Sequence, residues 1–519
     1  MEPLVRIQDN PILIAQAQRR LRRGQIVPML LIAGMLSACG VLWSLARGGD
    51  ADHFRGLAFA ALFAVGFALY LRAPTQIATS LREERTSGIL DFHRATPLTP
   101  WTQAMGYALG CGAREYVLAA VFALVFVPAA ILGKLSPLST LLSLGYLALA
   151  GLLYGTYAMW IGLSLSNKRG VSGAVVGTLI VLLSLGWSAR SVGAVAFFTP
   201  YPALVRLLEI DSARELGSDV LFYGLSIHPA LFTLVVQGSV LLFFVWASAR
   251  KLRQEGAPSF SRPGALLLLA WILFLTVGGA WRWLIGDGTE TSRGVITAAL
   301  ISFVLLGTGL ASSLLISLTP SYLAFVRGLR RARRRGLPAA DWLSDEGSPW
   351  PLAAIFAAQV LVGLAVLWLA MRGRLQPRDG LLQTAMLVGI AVPAFLLFVC
   401  SAAEYTRIVR RGAVRSVGAL IAFVTLVLPW MLGGIFEAGL GKGATLYVFA
   451  LSPGFGVFGA AGLFASASAS GPTEDLALPP VVLSLAASLA LSAWFFLSTR
   501  SVREGLGAKV ALGTGKPTP

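Results

Sequence analysis

The sequence predicts an all-α polytopic membrane protein with about twelve transmembrane helices in two six-helix halves, and three observations carry that expectation. Hydrophobic residues make up 56% of the 519 and charged residues only 13%, with a mean hydropathy of +0.75. A soluble fold built from such a chain would lack the polar side chains to cover its surface. The apolar residues fall in uninterrupted stretches of roughly 17 to 25, the length a helix rising about 1.5 Å per residue needs to cross a hydrocarbon core, whereas membrane strands would alternate. The formal net charge is +18, and most of the 42 Lys and Arg crowd the termini and alternate loops. That is a positive-inside distribution, and it accounts for the charge without nucleic acid as a partner.

Residues 1–25 are predicted to form a cytoplasmic interfacial helix. Asn10 is placed to cap it and Pro11 to occupy its first position, with Ile12, Leu13, Ala17 and Leu21 at helical spacing. Arg19, Arg20, Arg22 and Arg23 crowd its end and would face anionic headgroups. Spans follow near 26–46, 56–79, 115–133, 137–165, 171–189 and 227–249, giving a first transmembrane half over 26–255. A second half over 256–500 has spans near 263–286, 294–317, 351–371, 380–400, 416–434 and 478–498, and residues 501–519 form a cytoplasmic tail. The basic loops at 167–169, 250–253, 327–335 and 407–415 then fall on one side, which places both termini in the cytoplasm.

Cys39, Cys111 and Cys400 are far apart, as are His53, His93 and His228, so neither a disulfide framework nor a metal site is expected. Leu36-Ser37-Ala38-Cys39 resembles the lipid-attachment box of bacterial lipoproteins. The long polar lead before the apolar run, and the continuation of that run past Cys39, favour a span.

The two halves read as a tandem duplication with matching irregularities. Thr99-Pro100-Trp101 precedes the third span and Ser348-Pro349-Trp350 the ninth; each supplies a hydroxyl cap, a proline at the first helical position and an interfacial aromatic. Phe198-Thr199-Pro200 and Leu451-Ser452-Pro453 stand at corresponding places in the long segments 190–226 and 435–477. Those segments read either as short helices dipping into the outer leaflet or as exposed loops.

The loop after the second span is the most informative stretch. Arg82, Glu83, Glu84 and Arg85 carry both signs at a helix end, and Gly88 permits a sharp turn. Ile89, Leu90 and Phe92 can then sit on a partner while Asp91 and Arg94 face polar groups. A mere linker has no need of apolar residues held out in the cytoplasm. This loop resembles the first intracellular loop of the permeases of second-class ABC exporters, matching at Glu84-Arg85, Gly88, Ile89-Leu90-Asp91 and Thr96-Pro97-Leu98-Thr99. It departs from the family in having Ile89 where Thr follows the glycine, and Thr86-Ser87 where a second acidic residue is usual. Asn10-Pro11-Ile12-Leu13 and the Arg-rich helix after it are similar to the family's elbow helix.

The resemblance implies that residues 82–99 form a coupling helix docking on a nucleotide-binding subunit, and that the chain moves an amphipathic or hydrophobic substrate out of the cytoplasm across a bacterial inner membrane. Replacing Glu84 and Arg85 together with Ala is then expected to weaken ATPase association without preventing insertion. No Gly-x-x-x-x-Gly-Lys-Ser/Thr segment is present; Gly441-Lys442 is followed by Gly443 and Gly515-Lys516 by Pro517. The chain itself is therefore expected to bind no cofactor and to be no enzyme, with ATP and Mg held by a partner ABC-type ATPase. Membrane lipid, and a second copy of the chain, are further partners weighed. The second-half counterpart, Arg327 to Trp350, is strongly basic and lacks the Glu-Arg pattern, so it either docks differently or binds anionic lipid.

Arg114 and Glu115, near the start of the third span, form a candidate intramembrane polar pair. They snorkel at the interface, bridge to another helix, or line the transport path. Glu404 is expected at the interface. An ion-gradient-driven secondary transporter is the alternative function, disfavoured by the few acids available for a relay. A membrane-embedded enzyme would need a clustered nucleophile, carboxylates or histidines, which the sequence does not offer.

Overall fold

The computed structural model describes residues 9–164, 193–210, 219–254, 258–285, 293–320, 322–337, 343–371, 381–409, 452–469 and 478–511. Among these, the chain is helical apart from one short hairpin, Val220–Phe222 paired antiparallel with Leu225–Ile227. Among the described residues, nine helices are long and apolar enough to cross a membrane, and a tenth is added if the bent pair Phe303–Leu318 and Tyr322–Arg334 counts as one span. These ten coincide with ten of the predicted spans; those expected at 171–189 and 416–434 lie outside the described residues. By its contacts the chain divides into two compact units, Met1–Ser259 and Phe260–Pro519.

The first unit opens with α1 (Pro11–Arg20) and α2 (Arg23–Ala46), followed by α3 (Ala51–Phe67). A π turn at Ala68–Arg72 leads from α3 without a break into α4 (Ala73–Thr86). The short α5 (Ile89–Ala95) and α6 (Pro100–Gly110) come next, then α7 (Ala113–Leu132) and α8 (Pro137–Ser164). Asn10 caps α1 as expected, its side chain accepting from the Ile12 and Leu13 amides at 3.1 and 3.4 Å. α3 lies along α7, where Ala58, Ala61 and Val65 meet Phe126, Ala129 and Ala130 in one buried cluster. Small residues at that seam bring two apolar helices close, which is how helices gain packing energy where water no longer drives them together.

The triplet Thr99-Pro100-Trp101 opens a helix of its own, not the third span. Thr99 accepts from the Thr102 amide at 3.2 Å and Pro100 begins α6, which ends at Gly110 before the span starts at Ala113. In the second unit Trp350 starts the span directly. The difference lies in Cys111-Gly112, which interrupts the helix in the first half only.

Part of the segment 190–226 is packed helix. After a 3-10 turn at Gly193–Phe198, α9 (Tyr201–Leu207) buries Ala203 and Leu204, and the Tyr154 hydroxyl donates to the Phe198 carbonyl at 2.9 Å. α10 (Pro229–Arg253), capped by His228, closes the unit against α8.

The second unit contains α11 (Arg262–Ile285), α12 (Arg293–Leu318), α13 (Tyr322–Arg334), α14 (Trp350–Met371), α15 (Leu381–Glu404), α16 (Pro453–Ala469) and α17 (Leu478–Ala511). The part of 435–477 that is described is helical too: α16 packs on α12, α15 and α17. At 34 residues, α17 runs about 50 Å, well beyond a hydrocarbon thickness of about 30 Å, so its charged end projects past the membrane.

Candidate functional site

The loop between the second and third spans is a small folded structure. Gly88, at φ +78°, takes the left-handed conformation that a side chain would disfavour, and it turns the chain from α4 into α5. The side chains of this loop divide into two sets.

The inner set ties the loop to its own unit. Glu84 is only 2% exposed and accepts from the Gln16 amide of α1. Arg20 donates to Ser80 and, at 3.2 Å, to Gln76. Arg85 donates to the Leu163 carbonyl at the end of α8 at 3.0 Å. Arg94 bonds Asp91 at 2.5 Å and the Leu252 and Lys251 carbonyls at the end of α10 at 3.0 and 3.3 Å. Leu90 is buried with Ile77, Leu81, Tyr107 and Leu252. Burial, then the charge of Glu84, pushes the Tyr107 hydroxyl well above its ordinary range; the same two causes raise the Cys111 thiol to about 12.

The outer set faces away. Ile89 is 42% and Phe92 70% exposed, on one side of α5, and Gly88, Asp91 and Pro97 are exposed beside them. Arg82 and Glu83 are partly exposed. Thr96 caps the end of α5 by donating to the His93 carbonyl at 2.6 Å, and Gln103 reaches back to the His93 and Leu98 carbonyls. An apolar tip is thereby held on a rigid stem clamped to the ends of α8 and α10.

Glu84 and Arg85 are thus bonded within their own unit, whatever they meet outside it. A carboxylate bonded to Gln16 and lost from water is a structural group, so its replacement disturbs the stem before it touches any partner. Sequence spacing could not show this, because Gln16 and Glu84 are 68 positions apart.

Arg114 and Glu115 bond to each other at 2.6 Å, with Glu115 1% exposed and Arg114 largely covered. Of the three arrangements weighed, no bond to another helix is among those described for the pair. Glu84 and Glu115 stand at the same end of consecutive spans, joined by the α5–α6 connection.

The second unit holds a polar cluster that sequence reasoning missed. Glu404, 1% exposed, accepts from Arg503 of α17, from the Trp350 indole at 2.8 Å and from the Ser348 hydroxyl at 3.3 Å. The fully buried Arg262 donates to the Ser348 carbonyl at 2.9 Å and to that of Gly347. Arg407 bonds the Thr319 carbonyl. The only sequence signal was an acid near the end of a span; its cation lies 99 positions away.

Among the described residues no three His, Cys, Asp or Glu side chains are grouped to hold a metal ion. No family model, no curated protein and no solved structure matches the chain.

Proposed function

We propose that the chain is the membrane-spanning permease of an ATP-binding-cassette exporter, with twelve spans in two halves of six and both termini in the cytoplasm of a bacterium. A separate ATPase subunit hydrolyses ATP and holds the Mg ion, and the transported molecule is hydrophobic or amphipathic. The observation that carries the reading is the α5 tip. Ile89 and Phe92 are exposed apolar residues on a short helix whose stem is tied to two spans through Arg85 and Arg94. A soluble partner that grips this tip can move those spans as a body, since packed helices shift between discrete arrangements.

The test is a mild-detergent pull-down of the tagged chain, with partners identified by mass spectrometry and ATPase activity assayed. Phe92→Asp and Ile89→Ser are expected to release a P-loop ATPase while leaving the unfolding temperature of the chain unchanged. A chain that emerges alone and inactive, or variants that keep the ATPase in full, would overturn the reading.

The alternative, ion-gradient-driven transport, gains some ground from the burial of Glu84, Glu115 and Glu404. A relay needs acids spaced across the bilayer, and Glu84 and Glu115 sit at one face. Transport abolished by a protonophore at constant ATP would favour this alternative.

A further inference from the structure

We infer that α13 is a binding surface for anionic phospholipid headgroups. This depends on α17 spanning the membrane and not on any ATPase partner. Between Tyr322 and Leu337 there are six arginines and no carboxylate. At 100° per residue, Leu323, Arg327, Arg330 and Arg334 fall on one stripe and Phe325, Gly328, Leu329 and Ala332 on the opposite one. The second stripe is docked: Phe325 packs with Ile408 and with Leu506 of α17, beside Leu329 and Val502. Gly328 lets the loop at Glu346 approach so closely that an added Cβ would meet the Glu346 Cβ at 2.5 Å. The first stripe therefore points away from the unit's own helices, and Leu323, Arg327 and Arg334 on it are exposed.

The depth of α13 follows from α17. The apolar run of α17 extends from Leu478 to Leu497, about 30 Å of helix and about one hydrocarbon thickness. Val502 and Leu506, which hold α13, lie about 8 and 14 Å further along, the first at the outer edge of a headgroup layer of about 5 to 8 Å and the second about one helical turn beyond it. α13 also turns by 70° from the preceding helix, so it does not continue into the aqueous phase along the span axis. Guanidinium groups on a helix held there are within reach of phosphate, which they bind bidentately. Glu346 pairs with Arg331 at 3.2 Å, off the lipid-facing stripe. The corresponding loop of the first unit carries mixed charge and an apolar tip, so the two loops serve different partners.

The experiment uses the purified full chain in nonionic detergent with added dioleoyl phosphatidylglycerol or dioleoyl phosphatidylcholine, reading the unfolding temperature and, by native mass spectrometry, the retained lipid. Phosphatidylglycerol is expected to raise the unfolding temperature by several degrees and to be retained in preference. The triple variant R327Q/R330Q/R334Q should respond to it no more than to phosphatidylcholine, and the triple Lys variant should keep most of the response. Should the Gln triple not fold, R327Q and R334Q alone are each expected to lower the response in part. Equal responses to the two lipids, or an undiminished response in the Gln variants, overturns the inference. Inorganic phosphate reproducing the full shift would mean a simple anion site. Binding of tRNA or polyglutamate at physiological salt, with no lipid preference, would mean a polyanionic macromolecule. Either result overturns the lipid assignment.

Discussion

At the scale of single residues, buried carboxylates govern this protein. Glu404 gathers an arginine from α17, and an indole and a hydroxyl from the start of α14. Removing one member of a buried pair leaves the other uncompensated, at about 3 to 5 kcal/mol. Glu404→Ala is therefore expected to lower the thermal unfolding temperature in detergent strongly and Glu404→Gln less, since an amide still accepts from Trp350. Equal and small losses would show the cluster to be inconsequential. The Cys111 thiol, raised to about 12 by burial and Glu84, stays protonated in the folded chain up to pH 9. Maleimide at pH 8 is expected to modify Cys111 only after denaturation, as read by mass spectrometry of the labelled peptide.

At the scale of elements, close helix approach depends on glycine. Gly106 and Gly110, one turn apart on α6, form the bed for α1. A Cβ at Gly106 would meet the Asn10 amide at 2.8 Å, and one at Gly110 the Gln16 Cβ at 2.7 Å. Asn10 also donates to the Thr102 carbonyl at 2.7 Å, so capping and docking of α1 use one side chain. Gly110→Val is expected to cost about 1 to 3 kcal/mol by overpacking and to expose the Arg19–Arg23 region to trypsin. Unchanged proteolysis would mean that α1 is held from elsewhere. The cap and proline of this helix were legible because they act within four residues. Its docking was not, because the glycines that receive it are about 95 positions away.

At the scale of the whole molecule, each compact unit carries its own buried clusters and its own polar tie between helix ends. The twelve-span topology is tested in the two segments where spans were expected at 171–189 and 416–434. Cysteines introduced as Asn167→Cys and Ser212→Cys are expected to be labelled from opposite sides of the membrane by an impermeant reagent, and likewise Arg411→Cys and Ser470→Cys. Labelling of either pair from one side would remove that span.

Composition, apolar run length and the placement of arginine determined the class of this protein and ten of its helices, because crossing a membrane is a local requirement on about twenty consecutive residues. The sequence also singled out the loop at 82–99, because charge of both signs beside exposed leucine-like residues is conspicuous in so apolar a chain. Only the tertiary structure decided which loop residues face outward. Glu84, Arg85, Leu90 and Arg94 turn inward to partners on α1, α8 and α10, while Ile89 and Phe92 are left at the surface. It alone joined Glu404 to Arg503. Which of two neighbouring charges is buried depends on partners brought near by folding, and a span's hydropathy carries no record of them.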